Sequence, residues 1–220
     1  MGYILPEIYK QIAKESGVSL PKVFIETGTF KGGIAHRCLE TQIGLEDFDL
    51  WYTIEIDPII CQIASQRYRY FEQYAPFLPL KELMHTDTPD PAFFDRGKYF
   101  NRLELICGDS AIRLPQLLKK INQRACIWLD AHAGAAKYGG DPSDVPLYKE
   151  LEALQNHHIK DHIIAIDDTH IFGTNQRGMC DYTAITEQEV ARRVKLINDR
   201  YEVAIVAPFQ MEMMIAYIKP

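Results

Sequence analysis

The 220-residue sequence has no basic run, no apolar stretch of membrane-spanning length, no internal repeat and no low-complexity segment. Each absence removes a class of function. Proteins that grip a phosphate backbone gather lysine and arginine into a patch. This chain instead has 24 Lys and Arg against 30 Asp and Glu, a formal net charge of −6, so no nucleic-acid partner is expected. A membrane helix needs about 20 consecutive apolar residues. The opening MGYILPEIYK also lacks the cationic start, apolar run and cleavage site of a signal peptide. No membrane partner is expected, and the cytoplasm is the default location. Cysteine is scarce. Cys38, Cys61, Cys107, Cys126 and Cys180 are odd in number, widely spaced and form no Cys-x-x-Cys pair, so neither a disulfide framework nor a zinc site is expected. Cys107 and Cys126 stand in apolar runs and read as inert core residues.

What is present is a soluble composition, 47% hydrophobic and 25% charged, with a length suited to one domain over residues 1–220. Short apolar runs alternate with helical spacing. Leu5, Ile8 and Ile12 give one face of a leading helix. VFIET (Val23–Thr27), WYTIE (Trp51–Glu55), LELIC (Leu103–Cys107), CIWLD (Cys126–Asp130) and HIIAID (His162–Asp167) read as strands buried on both faces of a parallel sheet. Helices are expected from about Gly33 to Glu40, after Pro58, from Asp109 or Ser110 toward Lys120, and through Leu147, Leu151 and Leu154. The pattern predicts an α/β, doubly wound sheet built from right-handed crossovers. At the C-terminal end, a helix carrying Val190, Val194 and Ile197 leads to YEVAIVA (Tyr201–Ala207). Only a turn separates that run from EMMIAYI (Glu212–Ile218), too short a link for a parallel crossover, so these two should form an antiparallel hairpin. Residues 74–101 break the rhythm with four prolines and several aromatics. They read as a packed insertion: a lid, a contact in a homo-oligomer, or a surface excursion without function.

The chemistry-bearing residues fall at successive strand ends. Glu26-Thr-Gly28-Thr-Phe-Lys-Gly32-Gly33 follows the first strand, a glycine turn that lets a ligand approach the backbone. Phe30 stands where a dinucleotide fingerprint has its second glycine, which disfavours a Rossmann dehydrogenase. The turn resembles the acidic-x-Gly-x-x-x-Gly turn of class I S-adenosylmethionine-dependent methyltransferases, where it lies beside the methionine moiety. Glu55 ends the second strand, where a carboxylate can accept from both ribose hydroxyls or stand solvated. Asp57 reads as a cap before Pro58. Asp109 follows the third strand and can cap the next helix. In the methyltransferase class an acid at that position faces the adenine amino group, a role compatible with capping. Ligands of open α/β sheets bind in the crevice at these strand ends.

The fourth and fifth strands end in Leu129-Asp130-Ala131-His132 and Ile166-Asp167-Asp168-Thr169-His170. Neighbouring strands would converge three carboxylates at one rim, an arrangement that a cation relieves. Oxygen donors from Asp130, Asp167 and Asp168 suit Mg²⁺; the alternative is caps and solvated strand ends. Here the chain, from about Val23 to Ile218, resembles the macrocin-type sugar O-methyltransferases and their bacterial relatives. The resemblance implies a seven-stranded sheet of order 3-2-1-4-5-7-6 with the last strand antiparallel. It implies Asp130, Asp167 and Asp168 as Mg²⁺ ligands. It implies Glu26, Gly28, Gly32, Glu55, Asp109 and Asp130 as the S-adenosylmethionine site. Where the family places its general base, this chain has His132, an imidazole that titrates near neutrality.

Other histidines carry less. His36 reads as a surface or packing residue, and His157, His158 and His162 as a solvated cluster away from the rim. His170 either lines the site or stands beside it, and residues 133–144 form a candidate substrate lid. The expected reaction is metal-assisted methylation of a small-molecule or sugar hydroxyl. N-methylation on the same fold, or a non-catalytic binder of S-adenosylmethionine or a nucleoside, are the alternatives.

Overall fold

Strands with apolar side chains on both faces must be covered on both faces, and helices on either side of one sheet accomplish this. The computed structural model describes residues 6–29, 48–65, 103–131, 145–175, 180–207 and 212–220. The expected helix over 33–40, the 74–101 insertion and the 133–144 loop lie outside these residues, as do Gly32, His36 and His132. Seven strands form one sheet: β1 Val23–Thr27, β2 Leu50–Glu55, β3 Leu103–Cys107, β4 Ala125–Leu129, β5 Ile163–Ile166, β6 Glu202–Val206 and β7 Met213–Tyr217. Their spatial order is β3-β2-β1-β4-β5-β7-β6. All pairings through β5 are parallel, whereas β7 runs antiparallel to both β5 and β6, so the expected hairpin forms.

The described helices are α1 Pro6–Ser16, α2 through 58–65, α3 Ser110–Leu118, α4 Leu147–Asn156 and α5 Glu187–Ile197. Strand alternation divides the core in two. Val23, Ile25, Ile127, Leu129, Ile164 and Ile166 face α3, α4 and α5, which contribute Leu114, Leu118, Leu151, Leu154, Val190 and Val194. On the opposite face, Phe24, Trp51, Cys126 and Trp128 pack with Tyr9 of α1 and Ala64 of α2. The Tyr9 phenol donates to the Ile127 carbonyl at 2.9 Å, which lets a polar tip sit in that aromatic layer.

Two expectations require correction. Cys61 and Cys107 are joined as a disulfide with Cα atoms 6.0 Å apart, although 46 residues separate them. Parallel pairing of β2 with β3 brings the first turn of α2 beside the end of β3, a proximity that sequence spacing does not reveal. Cys107, on the edge strand, is exposed rather than part of the core, whereas Cys126 is buried as expected.

The second correction concerns the histidine cluster. His157 and His162 are buried, and only His158 is exposed. The backbone N–H of Ala125 donates to His162 Nδ1 at 3.0 Å, so the neutral ring carries its proton on Nε2. That nitrogen lies 2.9 Å from His157 Nδ1, and His157 Nε2 lies 2.9 Å from the Ile121 carbonyl. The proton positions follow from one backbone donor at one end and one backbone acceptor at the other. The pair closes the amino-terminal side of the sheet, opposite the rim that carries the acids.

Candidate functional site

The parallel strands finish at a common rim, and the backbone keeps them in step for one residue more. Gly28 N–H donates to Ile54 O at 2.9 Å, Gly108 N–H to Glu55 O at 2.8 Å, Asp130 N–H to Thr27 O at 3.2 Å and Asp167 N–H to Leu129 O at 3.0 Å. The acids at the carboxyl ends of β1 and β2 and those just past β3, β4 and β5 are therefore held at neighbouring positions along one edge.

Gly28 turns the chain at φ 82°, and a Cβ there would fall 2.3 Å from the Asp130 carbonyl oxygen. Neither the backbone conformation nor the space tolerates a side chain. Beyond it, the Thr29 and Thr53 hydroxyls hydrogen-bond at 2.6 Å and tie the turn to β2.

Glu26 is buried, 1% exposed. Burial pushes its carboxyl up to about 8, with the charges of Asp130 and Glu55 adding to the effect. One of its oxygens, Oε2, has no hydrogen-bond partner. A sealed carboxyl raised this far is largely neutral at pH 7, and a cationic group placed beside it would favour its ionised form. Glu55 is also buried, not solvated, and its Oε1 accepts the Asp57 N–H at 2.9 Å. Asp57 caps α2 as expected, accepting from Ile59 N–H at 2.8 Å and Ile60 N–H at 3.2 Å. Asp109 caps α3 by accepting the Ala111 N–H at 2.8 Å through Oδ1. Capping engages one carboxylate oxygen, which is consistent with a second role for the other.

Further along the rim, Asp130, Asp167 and Asp168 meet. Each offers a carboxylate oxygen, and these oxygens lie within 4.8 Å of one another. The turn that delivers Asp168 is unusual. It is the one non-glycine residue at positive φ among the described residues, with φ 55° and ψ 34°, a conformation that costs on the order of 1 kcal/mol. That turn begins the short 3₁₀ segment Thr169–Ile171. His170 is half exposed, with Nδ1 3.9 Å from Asp168 Oδ1, so it stands beside the cluster. Three hard oxygen donors at this spacing fit a divalent cation of the Mg²⁺ or Ca²⁺ type.

Two residues here have no precedent in the sequence reading. Glu150 of α4 and Tyr182 line a small cavity together with Asp130, Asp167 and Phe172. Burial is the main force raising the Tyr182 phenol well above its ordinary range, and its ring stacks on Phe172 with centroids 6.0 Å apart. The only sequence signal for Glu150 is its place three residues after Leu147 and one before Leu151, on the apolar face of its helix. Of the expected site residues, Glu26, Gly28, Glu55, Asp109, Asp130, Asp167 and Asp168 share the rim. Gly32 and His132 lie outside the described residues.

No family model matches the chain, and no curated protein resembles it in sequence. Solved structures do share its architecture. The S-adenosylhomocysteine-bound methyltransferase PaMTH1 of Podospora anserina superposes with a TM-score of 0.51 at 14% identity, covering 98% of this chain and 78% of that one. The methyltransferase domain of the bacterial protein CtHen1-CN gives 0.52 at 11% identity, covering 97% of each chain. A candidate O-methyltransferase from Klebsiella pneumoniae gives 0.50 at 12%, covering 98% and 80%. The fold is that of the class I S-adenosylmethionine-dependent methyltransferases.

Proposed function

We propose that the chain is an S-adenosylmethionine-dependent methyltransferase that uses a divalent cation to methylate a hydroxyl of a small molecule or sugar. One observation carries this reading. The buried acids at the carboxyl ends of β1 and β2, the Gly28 cradle and the capping Asp109 stand on the same rim as the Asp130–Asp167–Asp168 cluster. The first group suits a nucleoside with an amino-acid tail, and the second suits a hard cation. A non-catalytic binder has no need of the second group.

In this reading Glu26 receives the ammonium of the cofactor's methionine part, Glu55 accepts from the ribose hydroxyls, and Asp109 faces the adenine amino group. Gly28 and the Gly32 turn let the cofactor approach the backbone. When bound, S-adenosylmethionine would supply an electrophilic methyl on a sulfonium, so that a bond from the acceptor oxygen to that carbon would form as the carbon–sulfur pair returned to sulfur. Asp130, Asp167 and Asp168 would hold Mg²⁺, which when bound lowers the pKa of a nearby acceptor hydroxyl. His132 takes the acceptor's proton, and the rim holds acceptor and methyl in line.

The cation half is tested on the binary protein. Millimolar Mg²⁺ or Ca²⁺ should raise the melting temperature of the wild type, because a ligand of the native state stabilises it by mass action. Asp167→Asn should abolish that rise and leave S-adenosylhomocysteine binding largely intact. A wild type that responds no more than the Asp130→Asn or Asp167→Asn variant makes the three aspartates structural.

A further inference from the structure

Helix α4 turns Leu147, Leu151, Ala153 and Leu154 toward the core, and Glu150 stands among them at 1% exposure. A carboxyl at such a position is unfavourable unless it is well hydrogen-bonded. Here both oxygens are sealed from solvent and neither closes a well-formed hydrogen bond. Burial pushes the group up to about 7; the hydroxyls of Ser110 and Thr27 oppose the rise, and the charges of Asp109 and Asp130 add to it. An apolar side chain of the same length would fill the space at lower cost. Packing therefore gives no reason for a glutamate.

Its polar neighbours do. Thr27 ends β1, and its hydroxyl oxygen accepts the backbone N–H of Asp130 at 3.3 Å. The Thr27 hydroxyl proton is left to point elsewhere, and Glu150 is an acceptor beside it. Ser110 is the first residue of α3, directly after the capping Asp109. Glu150 also shares the cavity wall with Asp130 and Asp167. One buried carboxyl thus stands beside the end of β1 and the start of α3 and shares a cavity with the acids after β4 and β5, the segments that carry the two halves of the rim.

We infer that Glu150 is a positioning residue for that rim, steadying Asp130 through Thr27 and the start of α3 through Ser110. It makes no contact with substrate or cofactor of its own. The inference rests on the cofactor-and-cation reading above. A leucine or methionine would preserve the core and remove the carboxyl that stands beside both hydroxyls. Glutamine would keep one acceptor oxygen without the charge.

The test compares wild type, Glu150→Met and Glu150→Gln by calorimetric titration with Mg²⁺ and, separately, with S-adenosylhomocysteine, alongside thermal melts. Glu150→Met is expected to melt at or above the wild-type temperature while binding both ligands about tenfold to hundredfold more weakly, the usual consequence of losing a residue that orients a ligating one. Glu150→Gln is expected to recover most of that affinity. A purely structural glutamate would show the opposite: a lower melting temperature in Glu150→Met with affinities unchanged in the fraction that folds. If the wild type binds both ligands and Glu150→Met binds them equally well, the positioning role is overturned and the function stands. If the wild type binds neither, the function is overturned and the positioning role with it.

Discussion

Acid should weaken this fold through His162 before it protonates most of the carboxylates. The ring is fully buried, and its Nδ1 is already occupied as the acceptor of the Ala125 N–H at 3.0 Å. A second proton would have to enter at that nitrogen, facing a donor in a water-free space. Burial, then the neighbouring His157 and Arg124, lower the group to about 3. An unfolded histidine titrates near 6.5, so between those values the unfolded chain binds a proton that the folded chain refuses. Stability is complete above pH 6.5 and falls as pH drops, by up to about 1.4 kcal/mol per pH unit, until both states are protonated near pH 3. Between pH 7 and pH 5 this one group removes about 2 kcal/mol. His162→Asn keeps an acceptor for Ala125 N–H and does not titrate. Urea unfolding of both proteins at pH 7, 6 and 5 isolates the effect, since the carboxylates are common to both. The stability gap between wild type and variant should narrow by about 2 kcal/mol over that range. Parallel curves would refute the assigned proton positions.

Two further outcomes concern the rim. Glu26 is raised to about 8 by burial, Asp130 and Glu55, and an ammonium ligand requires it ionised. S-adenosylhomocysteine affinity should therefore fall by up to about tenfold per pH unit between pH 8 and pH 6, and Glu26→Gln should flatten the dependence; a wild type with a flat profile removes Glu26 from the ammonium site. His132→Ala should leave cofactor and metal binding nearly unchanged while lowering turnover by ~10²–10⁴. A variant with near-wild-type turnover and the same acidic limb in its pH–rate profile removes His132 from the proton transfer.

The strands were legible because a parallel sheet needs continuous apolar runs. Val23–Thr27 and Leu103–Cys107 match their expected bounds, β2 begins one residue earlier, and the other four differ by one residue at each end. The hairpin of β6 with β7 followed from the short link between them. The acids at the rim were legible because topology alone places strand ends together. Contacts between segments distant in sequence were not legible. Nothing in a 46-residue separation pairs Cys61 with Cys107. His157 and His162 looked solvated because they flank a helix–strand junction, yet α4 and β5 fold them inward against Ile121 and Ala125. Glu150 offered no sequence signal beyond its place beside Leu147 and Leu151, and only the fold brings it to Thr27 and Ser110.

The central claim is that the acid-lined rim holds S-adenosylmethionine, and calorimetry with S-adenosylhomocysteine tests it most directly. The wild type should bind, and its melting temperature should rise with ligand concentration. Glu55→Ala should weaken binding by roughly 1–3 kcal/mol, the scale of hydrogen bonds made to a charged group. No detectable heat and no thermal shift for the wild type at millimolar ligand would contradict the account.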